Sequence, residues 1–184
     1  AFFDVPTGSI LTVCGAITLD GSGVTTKNAR AFDVSGTLTI GENGTADVPV
    51  IQNFAPANTN GGAVNVSSGT LNIYSGKLTN NAAGAMGGAI YATRDSVVNM
   101  TGGTIASNRS TSYGGGICVD KSILNISGGS ITENAAGNDV GHGVHLFSGS
   151  VLNMDGGSVM NNSGTASQIS VNHSCAKFVS GEVG

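Results

Sequence analysis

A short motif returns along this chain at nearly constant spacing. Leu71-Asn72-Ile73, Val98-Asn99-Met100, Leu124-Asn125-Ile126 and Leu152-Asn153-Met154 follow one another at steps of 27, 26 and 28 residues. Leu11-Thr12-Val13 and Leu38-Thr39-Ile40 extend the series towards the N-terminus. The step from Leu38 to Leu71 is 33 residues, so this repeat holds a loop insertion. It falls within residues 41–50, around Glu42 to Val48, where Asn43-Gly44 is a turn dipeptide. A period of this length points to units that cannot bury an apolar face alone and must stack on their neighbours.

Each repeat contains three short apolar–polar alternations bounded by Gly, Asn and Ser, the pattern of strands separated by turns. The first is the Leu-Asn-Ile segment. The second is Leu78-Thr79, Ile105-Ala106, Ile131-Thr132 and Val159-Met160. The third is Gly62-Ala63-Val64, Gly88-Ala89-Ile90, Gly115-Gly116-Ile117 and Gly143-Val144. No segment has helical periodicity. A propeller blade needs four antiparallel strands in roughly 40 residues, which this period does not allow. The pattern predicts an all-β solenoid: a parallel β-helix of about six coils, three strands per coil, right-handed by the general preference of parallel connections. Alternation turns Leu71, Ile73, Leu78, Val64 and Val66 inward, with Val98, Met100, Ile105, Ile90 and Ala92 as their equivalents one coil on.

A turn column reads as an asparagine ladder made of Asp20, Asn53, Asn81, Asn108, Asn134 and Asn162. An amide has both donors and an acceptor, so stacked asparagines can bond along a column, and asparagine tolerates the left-handed backbone of a tight turn. On the outer face of the first strands, Thr39, Asn72, Asn99, Asn125 and Asn153 form a second column, preceded by Thr12. This flat polar ribbon is the candidate binding face, for glycan hydroxyls or for another solenoid. Ice binding would favour two parallel threonine columns, whereas the flanking positions are mixed Ile, Thr and Val.

The paired motifs Gly87-Gly88-Ala89-Ile90 and Ile105-Ala106-Ser107-Asn108, with further copies at Gly61-Gly62-Ala63-Val64 and Ile131-Thr132-Glu133-Asn134, resemble the GGAI and FxxN repeats of the polymorphic outer-membrane-protein adhesins. The resemblance covers roughly residues 50–165; the phenylalanine of FxxN is replaced by Leu, Ile or Val. It implies a secreted, surface-exposed β-helix with an adhesive role.

Composition narrows the function classes. Of 184 residues, 10% are charged, the net charge is −4 and the seven Lys and Arg are scattered, which argues against nucleic-acid binding. No apolar run approaches the roughly 18 residues that span a bilayer. Cys14, Cys118 and Cys175 are too widely spaced for a CxxC motif, and an odd number leaves at least one free thiol. Seven Asn-x-Ser/Thr sequons begin at Asn43, Asn65, Asn99, Asn108, Asn125, Asn161 and Asn172.

Three places are weighed for chemistry. Gly141-His142-Gly143 has the form of a motif in pectin-hydrolysing β-helices, but the acidic pair and basic tripeptide that accompany it are missing. Cys118 and His145 fall one coil apart in an outward third-strand column with Asn65 and Tyr91; as a pair they lack the further donors of a zinc site. Asp95 and Asp120 fall one coil apart in a turn, near Arg94 and Lys121. Glycosidic cleavage needs two carboxylates about 5–10 Å apart, and the strands offer no matched pair. No cofactor or metal is expected.

Val5 aligns with a third strand and Phe178-Val179 with the start of a first strand, so the sequence reads as a segment of a longer surface protein with residues 1–9 as a modest cap. The expectation is a single β-helix domain over residues 1–184, a non-catalytic adhesin or stalk meeting a surface glycan, a host protein or a neighbouring protein. The alternatives are a self-associating filament or sheath subunit stacked through open ends, and a polysaccharide lyase or hydrolase.

Overall fold

The structure is a computed structural model that describes residues 1–24, 29–46, 48–164 and 167–184. It is a parallel β-helix without helices among the described residues. First strands (Ile10–Val13, Thr37–Ile40, Thr70–Ile73, Val97–Met100, Ile123–Ile126) stack in register, each Leu-Thr-Val or Leu-Asn-Ile set directly over the last. Second strands (Thr18–Asp20, Val50–Gln52, Lys77–Thr79, Thr104–Ala106, Ser130–Thr132) stack in the same way. In the sixth coil first and second strands fuse into one run, Val151–Val159, which pairs with Cys175–Val183. Third strands, from Phe3–Val5 to Ile169–Val171, make a separate seven-stranded sheet.

The core follows from alternation. Leu38, Leu71, Val98, Leu124 and Leu152 form one fully buried column, and Ile51, Leu78, Ile105, Ile131 and Val159 another. The third strands add Phe32, Val64, Ile90, Ile117 and Val144. Burying each large aliphatic contributes about 1.5–3 kcal/mol. No coil holds enough of them to offset the cost of ordering its own backbone, so stability is shared between neighbours.

Three features depart from the sequence expectation or go beyond it. Three coils carry a fourth strand of two residues: Ala82–Ala83, Arg109–Ser110 and Ala135–Ala136. Two residues leave no alternation to detect. The chain between Ile40 and Val50 is much longer than its equivalent between Ile73 and Lys77, at the position of the expected insertion; Asp47 within it lies outside the described residues. The turn into the third strand is crowded: a Cβ on Gly88 would lie 2.0 Å from the Gly115 carbonyl oxygen, and one on Gly62 would lie 2.0 Å from that of Gly88. Only a hydrogen fits between these stacked peptides.

Candidate functional site

The inner amide column begins at Asn81, two coils later than the sequence suggests. Asn81 Nδ2 donates to Asn108 Oδ1 at 3.1 Å, Asn108 Nδ2 to Asn134 Oδ1 at 2.9 Å, and Asn134 Nδ2 to Asn162 Oδ1 at 2.9 Å. Each Oδ1 also accepts the backbone N–H of the asparagine one coil earlier, and each Nδ2 reaches the carbonyl of a second-strand residue there (Ile51, Leu78, Ile105, Ile131). Gln168 supplies the last rung through Oε1.

Asp20 and Asn53 stand outside this column. Ile51 pairs with Leu78, which places Phe54 at the ladder position, and Phe54 donates its N–H to Asn81 Oδ1. Asn53 belongs to the adjacent column of left-handed residues, with Asn80, Ser107, Glu133 and Asn161, all at φ between 54° and 61°. Asparagine suits both columns for different reasons, and Asn80-Asn81 fills both at once. Asp20 is exposed; hydrogen bonds from the Ser22 backbone N–H, Gln52 and Asn53 hold its carboxyl well below the usual carboxylate range.

The outer column is also bonded rung to rung. Asn99 donates to Asn72 at 2.9 Å, Asn125 to Asn99 at 2.8 Å and Asn153 to Asn125 at 2.9 Å. Thr39 pairs in register below Asn72, and Lys177 above Asn153. Within this column Asn99 and Asn125 each give one N–H and receive one, so each keeps a second N–H and a second acceptor site for a partner.

A third polar column lies hidden in the turn before the first strands. Ser96, Ser122 and Ser150 are buried, and each donates its backbone N–H to the hydroxyl one coil on, at 3.1–3.3 Å, ending at Ser174. Its sequence signal is the serine directly preceding the strands that start at Val97, Ile123, Val151 and Cys175. The two early coils hide it by placing Gly36 and Gly69 there.

The chemically reactive candidates are held in packing. His142 is 3% exposed; its Nδ1 accepts the Ala136 N–H at 2.9 Å and its Nε2 meets Asp139 Oδ1 at 2.7 Å. With Nδ1 accepting, the Nε2 side of the ring is the one that faces the Asp139 carboxylate as donor. The ring thereby caps the last of the two-residue strands. In the next coil the ring packs against Gly164, where an added Cβ would lie 2.3 Å from His142 Nε2, so a glycine there makes room for a side chain at this otherwise glycine position.

Cys118 and His145 are adjacent in register, but their column is not an exposed face. Tyr91, Cys118 and His145 are all buried. The sequence places them outward correctly, and what it misses is the cover from side chains such as Tyr113 of the loops that follow the two-residue strands. Burial pushes the Cys118 thiol far above its ordinary range, with a smaller push from Asp120. Burial likewise lowers the His145 pKa. A thiol whose ionisation burial opposes is a poor nucleophile, and the pair by itself lacks the further donors of a zinc site. Tyr91 is pushed up to about 12, by burial first and then by Asp120, to whose carboxylate its hydroxyl donates at 3.1 Å. Asp120 therefore sits at the end of a third strand, while the Asp95 N–H meets the Lys121 carbonyl in the turn; the two carboxylates are not equivalents one coil apart.

These burials predict the thiol count. A disulfide-exchange reagent should titrate two thiols in the native protein, Cys175 and exposed Cys14, and three in denaturant. Glu42→Gln should speed the reaction at Cys14, because the Glu42 carboxylate opposes its ionisation. Three fast native thiols would contradict the buried placement of Cys118.

Among the described residues no group of three or more His, Cys, Asp and Glu is placed to hold a metal ion, and no helix is long and apolar enough to cross a membrane. Comparison with protein-family models, with curated proteins and with solved structures returned no significant match.

Proposed function

We propose that this chain is a non-catalytic β-helix working outside the cell or at its surface, as an adhesin or stalk, and that the outer amide ribbon is its contact face for a surface glycan. The observation carrying this reading is the rung-to-rung bonding of Asn72, Asn99, Asn125 and Asn153. That bonding fixes four amides on a rigid sheet before any partner arrives, which lowers the ordering cost of binding. Each amide has donor and acceptor capacity to offer hydroxyls. The likeness of the Gly-Gly-Ala-Ile and Asn-bearing repeats to surface adhesins supports the same reading. A pectin-active enzyme has less support, since His142 caps a strand and Cys118 and His145 are packed away.

The test is a glycan array with the wild-type chain and the Asn99→Lys variant. The wild type should bind a subset of glycans, and Asn99→Lys should lose at least tenfold in affinity with its melting temperature within a few degrees of wild type. A blank wild-type array, or undiminished binding by a folded Asn99→Lys protein, would refute the ribbon as the contact face.

A further inference from the structure

The outer face of the third-strand sheet, on a different side of the solenoid from the ribbon, is not covered uniformly. In successive coils the loops after the two-residue strands place Met86, Tyr113 and Val140 over it, and the sixth coil crosses by the shorter Asn162–Ile169 connection. A groove of about 470 Å³ lies there, formed by those three side chains with His145 and Phe147 from the sheet and Ser170 and Asn172 from the next coil. This volume is in the range of small-ligand sites.

Three properties define what it accepts. No Lys, Arg, Asp or Glu lines it, so a charged ligand would lose hydration without gaining a counter-charge. Tyr113, His145 and Phe147 form one stack, with ring centroids 4.9 Å and 5.7 Å apart and interplanar angles of 21° and 29°. Tyr113, His145, Ser170 and Asn172 all line the groove without a side-chain hydrogen bond to another described residue, and the Nδ1 of nearly buried His145 is shut away from solvent with no partner. Among the described residues Ser110 Oγ is likewise buried without a partner, but His145 is the one such side chain that lines this groove, and Tyr113, Ser170 and Asn172 stand beside it around the aromatic stack with unused hydrogen-bonding capacity.

We propose that this groove binds an uncharged sugar ring, its C–H face laid against the aromatic stack and its hydroxyls bonded to Ser170, Asn172 and the His145 ring. A pyranose combines an apolar face with a neutral rim of groups that both give and accept hydrogen bonds, which a plain arene lacks and a uronate exceeds in charge. The site is independent of the amide ribbon.

Nuclear magnetic resonance titration of the full chain tests it, following the ring signals of Tyr113 and His145. The probes are the methyl glycosides of glucose, galactose and mannose, with glucuronate, phenol and indole for comparison. At least one neutral glycoside should shift both rings saturably, and more tightly than any of the three comparison ligands. Asn172→Ala, at an exposed residue that leaves the core intact, should weaken binding at least fivefold, and Phe147→Ala at least tenfold. Asn99→Lys should leave this binding unchanged, so that failure of the ribbon and failure of the groove are told apart. The proposal is overturned if no neutral glycoside shifts the rings, if phenol, indole or glucuronate binds more tightly, or if folded Asn172→Ala binds as the wild type does.

Discussion

Replacing Asn108 by alanine is expected to lower the melting temperature by roughly 10 °C, from a loss of about 3–5 kcal/mol. The variant strands a set of groups rather than one bond. The Asn81 backbone N–H and Nδ2 lose their shared acceptor, the Leu78 carbonyl loses its donor, and Asn134 Oδ1 loses one of its two donors. Asn81, Asn108 and Asn134 are all at most 1% exposed, so water cannot replace the missing partners without opening the turn. Asn108→Asp should be no rescue: it restores an acceptor for Asn81 but sets a second oxygen against the Leu78 carbonyl and Asn134 Oδ1. The comparison is with Asn53→Ala, at the residue the sequence assigns to the same ladder. There the loss should be smaller, because only its bond to exposed Asp20 and a left-handed backbone preference are at stake. Thermal melts followed by circular dichroism decide it, and equal shifts at Asn53 and Asn108 would remove the distinction between the two columns.

Gly88→Ala should have the larger effect, a destabilisation beyond about 4 kcal/mol that leaves little soluble folded protein. Its Cβ would meet the Gly115 carbonyl oxygen at 2.0 Å and Arg109 backbone atoms at 2.7 Å, all main-chain atoms held by the stacked sheets. No rotamer change relieves such a contact, and widening the gap between coils would break the neighbouring pairings together. Gly23→Ala is the control: nothing lies within 4 Å of its Cβ, and its backbone is not left-handed. It should melt within about 0.5 kcal/mol of wild type. Soluble yield and a urea titration of each variant measure the difference, and a wild-type midpoint for Gly88→Ala would mean that the coils are not in such close contact.

The strand stack and its core were legible because the Leu-Asn-Ile motif recurs at 26 to 28 residues and shows its alternation in every copy. The stacked parallel architecture follows from that spacing alone. The ladder was legible for Asn81, Asn108, Asn134 and Asn162 because each lies three residues after the inward aliphatic of its second strand. It failed at Asn53 and Asp20, where the loop insertion breaks the count and a left-handed asparagine stands next to the ladder position. The fate of Cys118 and His145 was not legible for a different reason. Their direction is set by strand alternation, but their burial is set by Tyr113 and other loop side chains, which vary from coil to coil and leave no period to read. The groove beside His145 depends on the same irregular loops and on one shortened connection, so its residues carry no common sequence mark.

The head-to-tail bonding of the asparagine and serine columns also bears on how such a gene can change. Every rung receives from one side what it passes to the other, so the strands tolerate alteration in units of a coil and not in units of a codon, while the turns between them absorb the differences in coil length. Excision of residues 97–122 would bring Leu124 over Leu71, Asn125 over Asn72 and Asn134 over Asn81, restoring each column. A single-codon insertion within a strand would instead exchange its inner and outer faces. In-frame duplication and loss of whole repeats are thus the open evolutionary route, and the length of the solenoid is free to drift while its cross-section stays fixed.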